Sequence, residues 1–130
     1  MGLKSRNKGK VGEREIAGLL QQLTGADVRR RVRQHEGDSD LEGIPGWCVE
    51  VKRHASAARA NIRAWWAQAV EQARPHGLKP ALFYRRDRDE WRAVWAAGGT
   101  LDYSATVEAA PATWALLAGF VPEEEGTEAV

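Results

Sequence analysis

A chain of 130 residues with 43% hydrophobic content is long enough for one domain with a buried core, and no run of about 18 apolar residues is present to span a membrane. The N-terminus carries no apolar leader, and the single cysteine, Cys48, excludes both a disulfide framework and a cysteine zinc cage; a reducing, cytoplasmic setting is expected. The net charge of +1 conceals an asymmetry: residues 1–33 hold nine Lys or Arg against three Asp or Glu, and residues 93–130 hold no Lys or Arg against six acids. The front of the chain is therefore expected to meet a polyanion such as nucleic acid.

Residues 1–9, with Lys4, Arg6 and Lys8, read as a mobile basic arm that orders on a phosphate backbone. A helix is expected from Lys10 to Thr24, because Ile16, Leu19, Leu20 and Leu23 recur at helical spacing and Gly25 follows as a stop. Glu13 borders the apolar face of that helix. Taken alone, it reads as a first-turn glutamate favoured by the helix dipole, and Glu15 more so. Asp27 to Gln34 reads as a strand. Val28, Arg30 and Val32 share one face, and Arg29, Arg31 and Arg33 share the other, where they contact phosphates or pair with Glu36 and Asp38.

Gly37 to Lys52 reads as a short strand, a tight turn at Ile44-Pro45-Gly46 and a second strand from Trp47. Alternation turns Val49 and Val51 one way and Glu50 and Lys52 the other. A polar stretch with His54, close enough to Lys52 to touch a bound nucleic acid, leads to a helix from Ala60 to Arg74. Ile62, Trp65, Trp66, Ala69, Val70 and Ala73 make its apolar stripe, so both tryptophans read as core rather than as base-stacking platforms. Pro75 and Gly77 end it. Lys79 to Arg86 and Glu90 to Ala96 read as a strand hairpin around a charged turn, and Thr106 to Ala118 as a short closing helix whose regular part follows Pro111. Residues 122–130 read as a flexible acidic tail after a single domain over residues 1–121. This order predicts an α/β or α+β sheet flanked by helices.

One constellation carries chemistry. Hydrolysis of a phosphodiester needs an activated water and relief of charge on the phosphate, and a hard cation such as Mg²⁺ held by a few carboxylate oxygens supplies both. Asp40 and Glu50 lie on strands joined by a tight turn, the carbonyl of Val51 offers a further oxygen, and Lys52 shares the Glu50 face. Lys52 can orient the water or stabilise developing negative charge, and Glu13 can reach the same edge from the helix. The plain reading of each is a turn-forming aspartate and a solvated strand face. His35, His54 and His76 are not spaced as a metal motif.

Asp40 followed by Glu50-Val51-Lys52 resembles the signature of the PD-(D/E)XK nuclease superfamily. The opening run Arg6-Asn7-Lys8-Gly9-Lys10-Val11-Gly12-Glu13-Arg14-Glu15-Ile16 resembles the start of archaeal-type Holliday junction resolvases and small phage nucleases. The resemblance covers roughly residues 6 to 95. It implies a restriction-endonuclease-like core, an α/β fold with a central mixed sheet of about five strands. It also implies that Glu13 is the helix-borne acid, that Glu13, Asp40, Glu50 and Val51 hold Mg²⁺ (or Mn²⁺), and that Lys52 is the catalytic lysine. Gln68, or alternatively Gln72, supports the site from the following helix. Ser39 stands where the superfamily name has proline, so Asp38 competes with Asp40 as ligand. The implied activity is metal-dependent DNA endonuclease cleavage in a bacterial or phage-infected cell, on branched or duplex DNA and as a homodimer. Lys4, Arg6, Lys8, Lys10, Arg29, Arg30, Arg31, Arg33 and Arg53 would contact the DNA. The alternative is a non-catalytic nucleic-acid-binding accessory protein that keeps the fold.

Overall fold

The computed structural model describes residues 2–31 and 40–120, with side chains from Lys10 onward. Arg33, Asp38, the acidic tail and the side chains of Lys4, Arg6 and Lys8 lie outside the described residues.

Helix α1 spans Gly2–Thr24. It takes in the residues expected to form a mobile arm; lysine and arginine are good helix formers, and the two glycines there do not stop it. Strands β1 (Arg29–Arg30), β2 (Leu41–Glu42) and β3 (Trp47–His54) follow. Helix α2 (Arg59–Ala73) and a 3-10 turn (Arg74–His76) lead to β4 (Lys79–Arg86) and β5 (Arg92–Ala96). A second 3-10 turn (Tyr103–Ala105), β6 (Thr106–Ala109) and α3 (Pro111–Leu117) close the chain.

The strands form one sheet in the order β1-β2-β3-β4-β5-β6. Only β3 and β4 are parallel, joined by the α2 crossover; the other neighbours are antiparallel. The sheet is thus mixed, as expected, with six strands rather than about five. The additional strand is β6, where a helix was expected from Thr106. Thr106 and Val107 are β-branched and pair with Ala96 and Trp95 of β5. Ala110, which precedes Pro111, is extended (φ −66°, ψ 151°), so helix geometry starts only at the proline.

Alternation along the central strands builds two cores. Val49, Val51, Ala81, Phe83, Ala93 and Trp95 face α1 and α3, where they meet Ile16, Leu20 and Trp114. Leu82, Tyr84 and Val94 face α2 and meet Ile62, Trp66, Ala69 and Val70. Cross-strand register pairs Glu50 with Leu82 and Lys52 with Tyr84, which puts both charged side chains on the α2 face. The turn into β3 is tight because Pro45 presets its dihedral and Gly46 adopts φ +84°; the Trp47 N–H then donates to the Ile44 carbonyl at 3.2 Å.

Candidate active site

β2 is only two residues long, and β3 runs past it. Among the described residues no strand pairs with the Val51 N–H on that side, and the Asp40 carboxylate accepts it at 2.8 Å. The Asp40 backbone is fixed in turn: its N–H donates to the Val49 carbonyl at 3.1 Å, and its carbonyl accepts the Arg31 N–H at 3.0 Å. Asp40 is thereby held beside β3 by three hydrogen bonds, which aim its carboxyl at Glu50.

Glu50 is the only buried charged residue among those described, at 2% exposure. Its carboxyl shares a hydrogen bond with Asp40 and lies 3.5 Å from Lys52 Nζ. Burial, then the negative charge of Asp40, push its pKa up to about 8, against the pull of Lys52. Burial also raises the Asp40 pKa, offset by the Val51 N–H and Lys52. Two adjacent buried carboxyls, both with raised proton affinity, make a site short of positive charge.

Glu13 reaches the same edge from α1. Burial and the charge of Asp40 raise its pKa, and it adds its own repulsion to Glu50. It is held by Arg30, whose Nε donates to it at 2.8 Å. Gly12 lets α1 lie this close: a Cβ there would stand 3.1 Å from Arg53 Cβ. Arg85 clasps Glu15 at 2.7 Å and pins the same turn.

The expected constellation is thus brought together in Asp40, Glu50 and Lys52, with Glu13 in electrostatic range but paired to Arg30. Among the described residues, no three His, Cys, Asp or Glu side chains form a ready cage for a metal. The donor set nevertheless fits a hard divalent cation. Two adjacent carboxyls with raised proton affinity suit an ion that keeps most of its waters and takes one or two protein carboxylates. Asp40 and Glu50 would hold it, with Glu13 nearby.

Gln68 is exposed, two residues and about 200° around α2 from the buried Trp66. Gln72 is half-buried. Arg53 sits on the face opposite Lys52, under Gly12 and Trp91, with its buried Nε 3.9 Å from Asp87. Lys10 is exposed. Arg29 pairs with Asp27, Arg30 with Glu13 and Arg31 with Glu42, while Glu36 and Asp38 lie outside the described residues. Arg30 as the partner of Glu13 was not foreseen, although its place on the valine face was a signal. The stack of His54 on Trp65, with centroids 4.8 Å apart, was also missed, since nothing local in sequence links them.

Residues 4–109 match the phage PDDEXK endonuclease family. The chain belongs to that family. It is 27% identical to protein D14 of Escherichia phage T5 over 70% of each chain. Its fold is that of Hjc from Archaeoglobus fulgidus, a Holliday junction resolvase, with a TM-score of 0.50 at 16% identity over 83% of this chain and 93% of that one. The PD-(D/E)XK resemblance and the restriction-endonuclease-like mixed sheet are therefore those of a nuclease.

Proposed function

We propose that this family member is a divalent-metal-dependent DNA endonuclease that acts on branched DNA, four-way junctions among them, as a homodimer in a bacterial or phage-infected cell. The observation that carries this reading is the Asp40–Glu50 carboxyl pair, buried beside Lys52 and short of one positive charge. A bound Mg²⁺ or Mn²⁺ would supply Lewis acidity and a bound water of lowered pKa. Asp40, fixed by the Val51 N–H, and Glu50 would hold that ion, with Glu50 giving up its proton on binding it. Lys52, whose Nζ lies 3.5 Å from Glu50, is placed to orient the attacking water or to meet negative charge on the phosphate. Glu13, steadied by Arg30, adds an acid at the edge. The fold shared with a Holliday junction resolvase supports branched DNA, and two symmetric cuts across a junction call for a dimer.

One observation favours the alternative of a nuclease fold kept for binding alone: Glu13 is engaged by Arg30 rather than grouped with Asp40 and Glu50. Both readings meet one assay, the purified protein on labelled duplex, single-stranded and four-way junction DNA with Mg²⁺, Mn²⁺ or EDTA. Paired symmetric cuts on junctions, abolished by EDTA and by Lys52→Ala, are expected. Cleavage that survives EDTA would sink the metal mechanism, and binding without cleavage in either metal would establish the alternative.

A further inference from the structure

The α2 face of the sheet continues past Lys52 in a direction that the catalytic residues do not use. His54 lies two residues on, about 6.7 Å along the same strand face, close to the spacing of successive phosphates in an extended strand. It is exposed and stacks on Trp65 at 4.8 Å with planes 27° apart. Trp65 is half-buried, unlike the fully enclosed Trp66, and leans on Tyr84 at 6.0 Å. One strand over, Arg86 pairs in register with His54. Beyond it opens a concavity of about 510 Å³ lined by Arg59, Arg63, Tyr103, Ser104, Thr106 and Glu108, with a smaller one of about 230 Å³ between it and Arg86; the Glu108 carboxylate at their edge is taken up by the Tyr84 hydroxyl at 2.6 Å and Arg92 at 3.2 Å.

The charges in this concavity differ from those on β1. Arg29, Arg30 and Arg31 each face a carboxylate. Among the described residues neither Arg59 nor Arg63 has a carboxylate partner, and the Arg63 guanidinium lies over the Tyr103 ring at 5.0 Å. Cations interleaved with partly exposed rings are what single strands bind: guanidinium groups track the phosphates, and rings accept unpaired bases of any sequence, here with His54 the exposed ring and Trp65 and Tyr103 half-buried beneath it and beneath Arg63. A paired duplex would offer this track phosphates but no base faces.

We propose that an unpaired strand leaving the scissile phosphate runs from Lys52 over His54 and Trp65 into the concavity of Arg59, Arg63 and Tyr103, so that the preferred DNA carries a single-stranded arm beside the cut. This deepens the nuclease reading and rests on it for the position of the cut. The test compares a fully paired duplex with the same duplex bearing a single-stranded arm, of either polarity. Affinity is measured by fluorescence anisotropy in EDTA across a salt series, and cleavage in Mg²⁺ and Mn²⁺. The wild type is expected to bind the armed DNA more tightly. Arg59→Gln with Arg63→Gln, both exposed positions, is expected to lower that affinity about tenfold and the salt slope by roughly 1.4, from two lost contacts to a single strand. His54→Ala is expected to lower it independently by about fivefold or more, through lost stacking. A wild type without preference, or variants that weaken both DNAs equally, overturns the track. A wild type that cleaves neither DNA but keeps the preference overturns the nuclease reading and leaves the track standing.

Discussion

Replacing Glu50 by glutamine should separate stability from activity. The substitution keeps the shape of the side chain, and its amide can donate to Asp40 in place of the shared proton. It removes a charge from a position 2% exposed. Burial raises the pKa of Glu50 from its ordinary 4.5 to about 8. Below pH 4.5 the folded and unfolded chains both hold the proton and Glu50 costs nothing. As pH rises to 8 the unfolded chain has lost the proton while the folded chain still binds it, so stability falls over that window. At one pKa unit per roughly 1.36 kcal/mol, the loss at pH 7 is about 3 kcal/mol. Glu50→Gln should therefore match the wild type near pH 4.5 and melt on the order of 10 °C higher at pH 7 in EDTA. Its cleavage should fall by at least about 100-fold, since loss of outer-shell partners alone commonly costs 10–100-fold. Thermal melts at pH 4.5, 6 and 7, read alongside cleavage of junction DNA, check both halves. An equal gain at pH 4.5 and pH 7, or none at pH 7, would refute the charge-deficient pair.

Mg²⁺ should raise the melting temperature of the wild type more at pH 8 than at pH 5, because binding must displace the proton that Asp40 and Glu50 share; calorimetry in two buffers should detect proton release, and Glu50→Gln should lose it. Lys52→Ala should reduce the cleavage rate on the order of 10²–10³-fold, as removal of a charge-stabilising donor does elsewhere, with junction affinity in EDTA changed only a few-fold. It should also extend the pH-dependent loss of stability to higher pH, because Lys52 holds the Glu50 pKa down. Gly12→Ala would ordinarily stabilise a helix by about 1 kcal/mol. Here the new methyl meets Arg53 Cβ at 3.1 Å and Trp91 at 3.6 Å, so that gain should vanish and cleavage should fall as Glu13 shifts. A stabilised variant with full activity would show that α1 is not seated this deeply.

The parts of the fold legible in sequence were those governed by a local period. Alternation alone placed Glu50 and Lys52 on one face of β3 and the valines on the other, and the apolar runs marked β4 and α2 to within a residue. The same rule puts Arg53 on the face opposite Lys52, against Gly12 of α1. The 100° step of the helix likewise turns Gln68 away from the sheet. Strand β6 was hidden because Ala109 and the alanines that flank the strand, Ala105 and Ala110, suit a helix, and only pairing with β5 decides for the strand. The links that complete the site were not legible at all. Arg30 meets Glu13 across 17 residues, Arg85 meets Glu15 across 70, and His54 finds Trp65 only once α2 has folded back.

The position of the acids follows from a shortfall in backbone pairing. Among the described residues β2 reaches only as far as Val49 of β3, so the Val51 N–H takes another acceptor, and a carboxylate is the strongest one available without a strand. Asp40 meets that need and is therefore fixed beside Glu50, one residue away on the buried side. An aspartate that satisfies a sheet edge and a glutamate that alternation buries are each ordinary. Their coincidence is not, since it leaves two acids sharing one proton next to an ammonium group. Natural sequences seldom keep a buried arrangement that costs several kcal/mol unless function depends on it. Hydrophobic replacement of the whole trio, as in Asp40→Asn with Glu50→Leu and Lys52→Met, should thus give a more stable chain without catalysis, provided the asparagine still accepts the Val51 N–H.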